Sequence, residues 1–237
     1  MLQSIKRLYG NKLIASDGEI GHVKDFYFDD RNWVVRYLVA DTGFWMAGRQ
    51  VLLSPHAFGG LQEPGSFLRA DLTRKQIENS PPIDWHKPVS RQYEEEYYRY
   101  YDWPYYWQGD GLWGMSGFPI LETPAAPLPR EQAIASQPGR DRADAHLRST
   151  KAVNGYTVHA SDGTIGHISD FVMDFKLWKI SQLVVKTGHR LSGKEVQIPT
   201  SDVERISYEE STVFVNLTGK AVEQSPAHDL ASAAFAA

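Results

Sequence analysis

One eleven-residue motif occurs twice in the sequence. It reads SDGEIGHVKDF from Ser16 and, 145 positions later, SDGTIGHISDF. At this offset Ala15–Gly43 aligns with Ala160–Gly188, and 15 of the 29 aligned positions are identical. The same offset aligns Leu72–Pro81 (LTRKQIENSP) with Leu217–Pro226 (LTGKAVEQSP), where six of ten positions are identical. The chain therefore contains two copies of a unit of about 65 to 75 residues, which is just large enough to bury its own core.

Each unit is predicted to be rich in β-strands. After a turn at Asp17-Gly18, residues 20–28 alternate roughly between apolar and polar side chains, the period of a strand with one buried face. Residues 33–40 (WVVRYLVA) are β-branched and aromatic, which favours a second strand. Thr42-Gly43 is expected to end that strand. The second unit repeats this pattern from Asp162-Gly163 onward.

Shorter elements are predicted to complete each unit. The expected strands lie at 50–53, 66–70, 196–199 and 212–216. Helical turns with a threonine cap and a Ser-Pro end are expected at 73–79 and 218–224. Many short strands at this spacing favour a small barrel, which leaves no open sheet edge. The predicted fold class is mainly β: two tandem small barrels, each with a short closing helix, joined by an aromatic-rich, partly helical segment.

Ten positions shared by the two units are predicted to have structural roles. Glycines at turns fit because glycine adopts positive φ without strain. Asp29 and Asp174 precede the shared tryptophans and are predicted to form Asx turns. The ten positions are Gly18, Gly21, Asp25, Trp33 and Gly43, with their partners Gly163, Gly166, Asp170, Trp178 and Gly188.

The shared motif resembles the PRC-barrel family. The pattern is D-G-x-I-G-x-(V/I)-x-D-F, followed by a tryptophan and by L-V-(V/A)-x-T-G, and it covers both units, about 150 of the 237 residues. The resemblance implies small SH3-like barrels, as in the cytoplasmic part of the reaction-centre H subunit and the C-terminal domain of the ribosome-maturation factor RimM. It implies interaction modules without a common catalytic constellation. Neither specific function is carried over, because the chain shows no membrane helix and a second PRC-like unit stands where RimM has a different barrel.

The segment between the units is unusually aromatic. It holds four of the seven tryptophans and seven of the twelve tyrosines between Trp85 and Trp113. Residues 90–102 (SRQYEEEYYRYYD) predict a helix that Ser90 caps and Pro104 ends. The expected buried face carries Tyr93, Tyr97, Tyr100 and Tyr101, and the expected wet face carries Glu94, Glu95, Glu96 and Arg99.

Two interpretations of this aromatic arm stay open, and six of its residues are predicted to make its contacts. The rings pack on the chain's own barrels or on a second copy, or they form a docking surface for a foreign protein. A nucleic-acid stacking platform is disfavoured because three consecutive glutamates oppose phosphate. The six residues are Tyr93, Tyr97, Tyr101, Trp103, Tyr105 and Trp107.

The expected organisation has four parts. Residues 1–81 form the first PRC-barrel-like domain, and residues 148–226 form the second. Residues 82–147 contain the aromatic arm and then a flexible Pro/Ala-rich linker. Residues 227–237 are expected to be a disordered tail.

Composition limits the cellular setting. A net charge of −4 and a pI near 6.1 argue against a general nucleic-acid binder. The chain has no cysteine, which removes disulfides, thiolate nucleophiles and zinc–thiolate sites. No apolar run reaches the ~18 residues of a membrane span, and the N-terminus lacks the apolar region of a signal peptide. A cytoplasmic protein is expected.

Two groups of residues invite a catalytic or metal-binding interpretation. Asp41-Thr42-Gly43 matches the Asp-Thr-Gly of aspartic proteases, but Lys186 replaces the second aspartate that such a site needs. His22 and His167 each precede an aspartate by three residues, which could bind metal or relay protons. We predict structural roles for both groups.

The predicted function is a non-catalytic interaction or scaffold protein, and the duplicated architecture predicts a homodimer. No catalytic residue, cofactor or metal is predicted, and no Gly-rich phosphate loop or G-x-S-x-G elbow occurs. The expected partner is an unidentified protein. Two alternatives are a RimM-like RNA- or ribosome-associated assembly factor and a membrane-peripheral accessory of an electron-transfer complex.

Overall fold

The computed structural model describes residues 1–59, 67–83, 89–119, 147–188 and 193–226. The predicted flexible linker and the predicted tail 227–237 lie outside the described residues. The strands are β1 Leu2–Ser4, β2 Lys12–Ala15, β3 Gly18–Asp29, β4 Val35–Asp41, β5 Gln50–Leu53, β6 Phe67–Arg69, β7 Leu147–Ser149, β8 Thr157–Ala160, β9 Gly163–Asp174, β10 Lys179–Thr187, β11 Glu195–Pro199, β12 Val203–Ser207 and β13 Thr212–Val215. The α-helices are α1 Ile5–Leu8, α2 Arg74–Glu78, α3 Arg91–Tyr101, α4 Thr150–Val153 and α5 Gly219–Glu223, and 3₁₀ turns lie at Gly43–Met46, Pro55–Phe58 and Thr200–Asp202.

The strands form two sheets, which confirms the mainly β prediction. The first sheet has the order β5-β4-β3-β2-β6, and β7 also pairs with β3. The second has the order β11-β10-β9-β8-β13-β12, and β1 also pairs with β9. In both sheets a long central strand (β3 or β9) pairs with antiparallel neighbours, and the strand before it also has a parallel partner.

The long central strands explain why the sequence alternates only roughly. In β3 the pairing with β4 shifts between Val23 and Asp25, so one extra residue bulges out of the ladder. The apolar positions Ile20, Val23, Phe26 and Phe28 are all buried despite their uneven spacing. A bulge changes which face later side chains occupy, and this allows one strand to bury both parts of the motif.

The turn that follows each central strand fits the prediction from Asp29 and Asp174. The Arg31 amide donates to Asp29 Oδ1 at 3.0 Å, and the Lys176 amide donates to Asp174 Oδ1 at 2.9 Å. These are the predicted Asx turns. Trp33 then adopts a left-handed backbone with φ of 63°, as does its partner with φ of 52°.

The two sheets meet along these turns and share one core. The Val35 amide donates to Trp178 O at 2.7 Å, and the Ile180 amide donates to Trp33 O at 2.8 Å. All four residues are partners at the 145-residue offset, so the two hydrogen bonds are equivalent. Below them the ring centroids of Phe28 and of the phenylalanine that faces it from β9 lie 6.1 Å apart. One cluster of buried apolar side chains runs through both sheets.

Each unit gives its first strand to the other unit's sheet. Strand β1 pairs with β9, Leu2 opposite Asp174 and Ser4 opposite Val172. Strand β7, which opens the second unit, pairs with the end of β3 in the first. Sequence analysis did not predict this exchange. Each sheet therefore contains a strand from the other unit, so neither of the expected domains 1–81 and 148–226 forms its sheet alone.

In each sheet, a glycine found at the equivalent position of both units allows two neighbouring strands to approach closely. A Cβ placed on Gly21 would lie 2.0 Å from Asp41 O, and one on Gly166 would lie 2.2 Å from Lys186 O. Contacts this short do not occur between real atoms. Any larger residue at these positions would push the backbone of the neighbouring strand away.

We expect a methyl group at Gly166 to destabilise the second sheet. Gly166→Ala forces β9 and β10 apart, which should lower the free energy of unfolding by about 1–3 kcal/mol or more. Gly188→Ala is the control, because a Cβ there meets no atom within 4 Å. Denaturant titration followed by tryptophan fluorescence compares the two variants, and equal stabilities would contradict the close crossing.

Candidate functional site

The repeated aspartates Asp25 and Asp170 hold the exchanged segments. Asp25 accepts hydrogen bonds from Ser149 Oγ at 2.5 Å, from Thr150 Oγ1 at 2.9 Å and from the Lys151 amide at 3.2 Å. Asp170 accepts a hydrogen bond from the Ser4 hydroxyl. It also accepts one, at 2.9 Å, from the backbone amide of the residue two positions after Ser4. The aspartate that occurs in both copies of the motif therefore binds a segment of the opposite unit in each case.

The histidines of the motif lie apart from this chemistry. His22 and His167 are exposed, while the aspartates three residues later are occupied by the exchanged segments. Within the described ranges, no three His, Cys, Asp or Glu side chains form a group that could hold a metal ion. The structure therefore does not bring the two halves of the suspected His–Asp pair to a common ligand site.

Asp41, the residue that resembles a protease aspartate, is part of a turn. Its Oδ1 accepts from the Gly43 amide at 3.0 Å, and its Oδ2 lies 3.7 Å from Lys24 Nζ. The first contact belongs to the bend that follows β4, and the second connects β4 to β3. The carboxylate lies on the outside of the first sheet, with its side chain 44% exposed.

Helix α3 of the aromatic arm begins and ends where the sequence predicts. The Ser90 hydroxyl accepts from the Tyr93 amide at 3.2 Å, as an N-cap does. The helix stops at Tyr101, and Asp102 takes a left-handed φ of 58° just before Pro104. The cap amides of Asp102 and Trp103 donate back to carbonyls of the last turn.

The buried face of α3 differs from the predicted one. Glu94, predicted to be wet, is fully buried, and so is Tyr98, whereas Tyr100 is 40% exposed. The cause is the set of donors around the Glu94 carboxylate. Tyr37 Oη donates to Oε1 at 3.0 Å, Tyr106 Oη donates to the same atom at 2.7 Å, and a neighbouring arginine ion-pairs at 2.9 Å. Paired this way, a carboxylate can be buried at tolerable cost.

Tyrosine hydroxyls fasten α3 to the edge of the first sheet. Tyr97 Oη donates to Leu52 O at 3.0 Å and accepts from the Ser54 amide at 3.1 Å. Tyr98 Oη lies 3.3 Å from Ser54 Oγ. Burial raises the pKa of Tyr97 well above 10, and nearby tyrosines add to this increase. The helix therefore adds a layer to the first sheet and is not a loose linker.

The loop after α3 reaches the second sheet. Trp113 is buried, and its indole Nε1 donates to Leu177 O at 3.1 Å. The guanidinium of Arg36 lies 3.9 Å above the Tyr106 ring and donates to Leu112 O at 2.5 Å. The arm thus contacts both sheets and fixes their relative orientation, with Arg36 as its central contact.

The six arm residues predicted to make contacts fall into two groups. Tyr97 and Trp103 are buried inside the chain, so their rings are not available to a partner. The others, half-buried, form the outer rim of the arm. They are Tyr93, Tyr101, Tyr105 and Trp107.

A second aromatic feature, not predicted from the sequence, is the turn that follows β4, where Phe44 is the most exposed large apolar side chain among the described residues. The aromatic tip consists of Phe44, Trp45 and Met46 in the 3₁₀ turn after β4. Phe44 is 106% exposed, more than in a reference extended peptide. The turn is braced, because Thr42 Oγ1 donates to Arg49 O at 2.5 Å and the Gly48 amide donates to Gly43 O at 2.6 Å.

Two arginines support the aromatic tip. Arg74 lies 4.5 Å above the Trp45 ring. Arg49 reaches across to α2 and donates to Glu78 O and Ser80 O, each at 2.9 Å. On the far side of α2, Tyr100 Oη donates to Gln76 O at 2.8 Å. The tip is therefore a rigid projection from one end of the first sheet.

The sequence did contain a signal for the aromatic tip. At the 145-residue offset Phe44-Trp45-Met46 corresponds to His189-Arg190-Leu191. The flanking Thr-Gly is kept, but the aromatics are not. Side chains that differ between the units beside a shared Thr-Gly are not part of the duplicated sequence pattern.

His56 lies where the arm meets the first sheet. It is buried, with the rings of Trp113, Trp103 and Tyr98 centred 5.3, 5.8 and 6.1 Å from its own. Burial lowers the pKa of His56 from 6.5 to about 4; the Pro119 backbone opposes this shift, and Arg36 adds to it. The imidazole is therefore neutral at pH 7.

We expect the buried His56 to make the fold acid-sensitive. Because its folded-state pKa of about 4 lies below the unfolded value of 6.5, the unfolded chain takes up the proton first as the pH falls. The free energy of unfolding should therefore decline from about pH 6.5 to about pH 4. His56→Phe keeps a ring and should reduce this decline by up to about 3 kcal/mol. Urea titrations at several pH values test this.

The control for this titration is His22→Gln, because His22 is exposed. That variant should follow the unmodified protein at every pH. Equal acid sensitivity of the His56→Phe variant and the unmodified protein would contradict the neutral, buried imidazole.

Comparison with known proteins assigns no family to this chain. No protein-family model matches it, and no curated protein matches it. The described helices include none with the length and apolar character needed to cross a membrane.

Proposed function

We propose that this protein is a non-catalytic interaction scaffold made of two PRC-type, SH3-like barrels, and that a partner protein docks on the aromatic tip. The observation that carries the proposal is the full exposure of Phe44 on a braced turn. Removing an apolar ring from water lowers the free energy, and burying a phenylalanine side chain stabilises a complex by about 1.5–3 kcal/mol.

The assignment of two copies of one domain is supported by equivalent elements in the two units. Strands β2 and β8, and likewise β3 and β9, begin and end 145 positions apart. The closing helices α2 and α5 also match, each capped by a threonine hydroxyl. Asp17 and Asp162 accept from the first amide of these helices, each at 2.8 Å. Such agreement is what two copies of one small barrel would give.

A scaffold role also fits the use of three carboxylates at the joints of the structure. The carboxylates of Asp25 and Asp170 hold the exchanged segments, and Glu94 holds the arm. Each has a structural partner at hydrogen-bonding distance. These contacts join the sheets and the arm, and a partner would meet a rigid body.

A rigid body favours binding through a small aromatic anchor. Because the tip turn is already braced, little conformational freedom would be lost when a partner covers it. Trp45 beside Arg74 offers a second contact of mixed aromatic and cationic character. Aromatic and arginine side chains are the residues that most often dominate interface energies.

We expect Phe44→Ser to weaken partner binding at least tenfold without changing the fold. The side chain makes no buried contact in the chain, so the melting temperature should stay the same. The measurement is quantitative co-purification from the native cell extract, followed by titration of the recovered protein. Sedimentation velocity of the purified chain separates self-association through the tip from binding of a foreign protein.

Met115→Ser is the matched control, because Met115 is 85% exposed on the arm near the second sheet. This variant should retain the partner. A partner that binds the Phe44→Ser and unmodified proteins equally well would rule out the aromatic tip as the docking site.

A further inference from the structure

The two exchanged segments share a sequence pattern of their own. Residues 2–8 read LQSIKRL and residues 147–153 read LRSTKAV. Both follow Leu-x-Ser-x-Lys, and their serines lie at the same 145-residue offset as the rest of the duplication. The pattern comes before the part of the repeat that is easiest to detect.

Each segment binds the other unit in the same way. Its first three residues pair antiparallel with the end of the central strand, opposite Val172–Asp174 or Tyr27–Asp29. Its serine hydroxyl donates to the aspartate two residues before the strand position that pairs with the serine, and the amide of its lysine donates to the same carboxylate. We call each aspartate with its paired strand end a socket, the first at Asp25 and the second at Asp170.

The serine also shapes the segment for the socket. Ser4 Oγ accepts from the Arg7 amide at 3.2 Å, and Ser149 Oγ accepts from the Ala152 amide at 3.0 Å. The serine therefore caps the short helix while it binds the aspartate. That helix then buries an apolar residue in the shared core, Leu8 in one segment and Val153 in the other.

We propose that the two sockets are copies of one peptide-binding site specific for the Leu-x-Ser-x-Lys pattern. The occupant able to compete with the chain's own segments is the same segment of a second copy of this chain. Addition of a strand to a sheet supplies main-chain hydrogen bonds, and a side-chain pocket supplies specificity. Here the aspartate carboxylate binds the serine hydroxyl and the backbone amide of the residue two positions later.

Exchange between copies would preserve the pairing of the segment with its socket. The chain runs from the segment Leu2–Leu8 to β2 of its own unit through the short connection Tyr9–Asn11. A segment from a second copy offers the same strand, serine and helix to an open socket. The monomer and the exchanged dimer then differ mainly in the entropy of connecting the segment to the socket. The protein concentration therefore decides which of them forms. This proposal rests on the sockets and is independent of the aromatic tip.

The test uses the full chain with a protease site inserted in the connection Tyr9–Asn11. After cleavage we expect residues 1–9 to stay bound and to co-elute with the remainder. Excess synthetic peptide of residues 1–9 or of residues 147–154 should displace the bound segment. The same peptides carrying Ser4→Ala or Ser149→Ala should need at least tenfold higher concentration. Failure of the 147–154 peptide to compete, or equal competition by the alanine peptides, would overturn the proposal.

A second measurement uses the uncut chain, in case cleavage unfolds it. Unlabelled and ¹⁵N-labelled copies are unfolded together, refolded at high concentration and analysed by native mass spectrometry. Mixed dimers are expected, fewer with Asp170→Asn and equally many with Phe44→Ser. The absence of mixed dimers at any refolding concentration, or a dimer lost with Phe44→Ser and unaffected by Asp170→Asn, would overturn the proposal.

Discussion

The hydrogen bonds from Ser4 and Ser149 to the aspartates of the opposite unit are the contacts on which the rest of the structure depends. They hold β1 on the second sheet and β7 on the first, so each sheet is completed by a segment from the other. The two units are thereby joined twice, at equivalent places. The reciprocal amide bonds at Trp33 and Trp178 lie between these joints and connect the sheets directly.

The aromatic arm adds a third connection that breaks the symmetry. Its helix buries Glu94 and Tyr97 on the first sheet, and its loop brings Trp113 to Leu177 of the second. A further cross-contact comes from Asp30, which accepts from Arg148 Nε at 2.9 Å and from a tyrosine hydroxyl of the second unit at 2.7 Å. The arm therefore stabilises one orientation of the sheets and leaves the aromatic tip projecting at the far end of the first.

Local patterns in the sequence predicted local structure well. The Ser90 cap and the Asx turn at Asp29 are present as predicted, and the hairpin turns predicted at Asp-Gly lie one residue earlier, at Ser16-Asp17 and Ser161-Asp162, because each depends on residues within a few positions of one another. The helix face was predicted incorrectly at Glu94. The burial of Glu94 depends on Tyr37 and on an arginine that ion-pairs with the Glu94 carboxylate. Tyr37 lies in β4, more than fifty residues earlier in the chain.

The strand exchange and the aromatic tip depend on information that local patterns do not hold. Antiparallel pairing of β1 with β3 or with β9 would satisfy the same strand propensity, and the choice follows from the three-dimensional path of the chain. The short Leu-x-Ser-x-Lys repeat was the available signal, but it is weak beside the motif that follows it. At Phe44 the signal was a difference between the units, and a search for what the units share passes over it.

The exchanged segments are integral parts of both sheets. Hydrogen–deuterium exchange of the intact protein tests this most directly, read at those amides of Leu2–Ser4 and Leu147–Ser149 that donate to the neighbouring central strand. Because these amides lie in strands whose serines are bound to Asp170 and Asp25, they should exchange as slowly as the central strands β3 and β9. Exchange at the rate of an unstructured terminus, while β3 and β9 stay protected, would contradict the central claim.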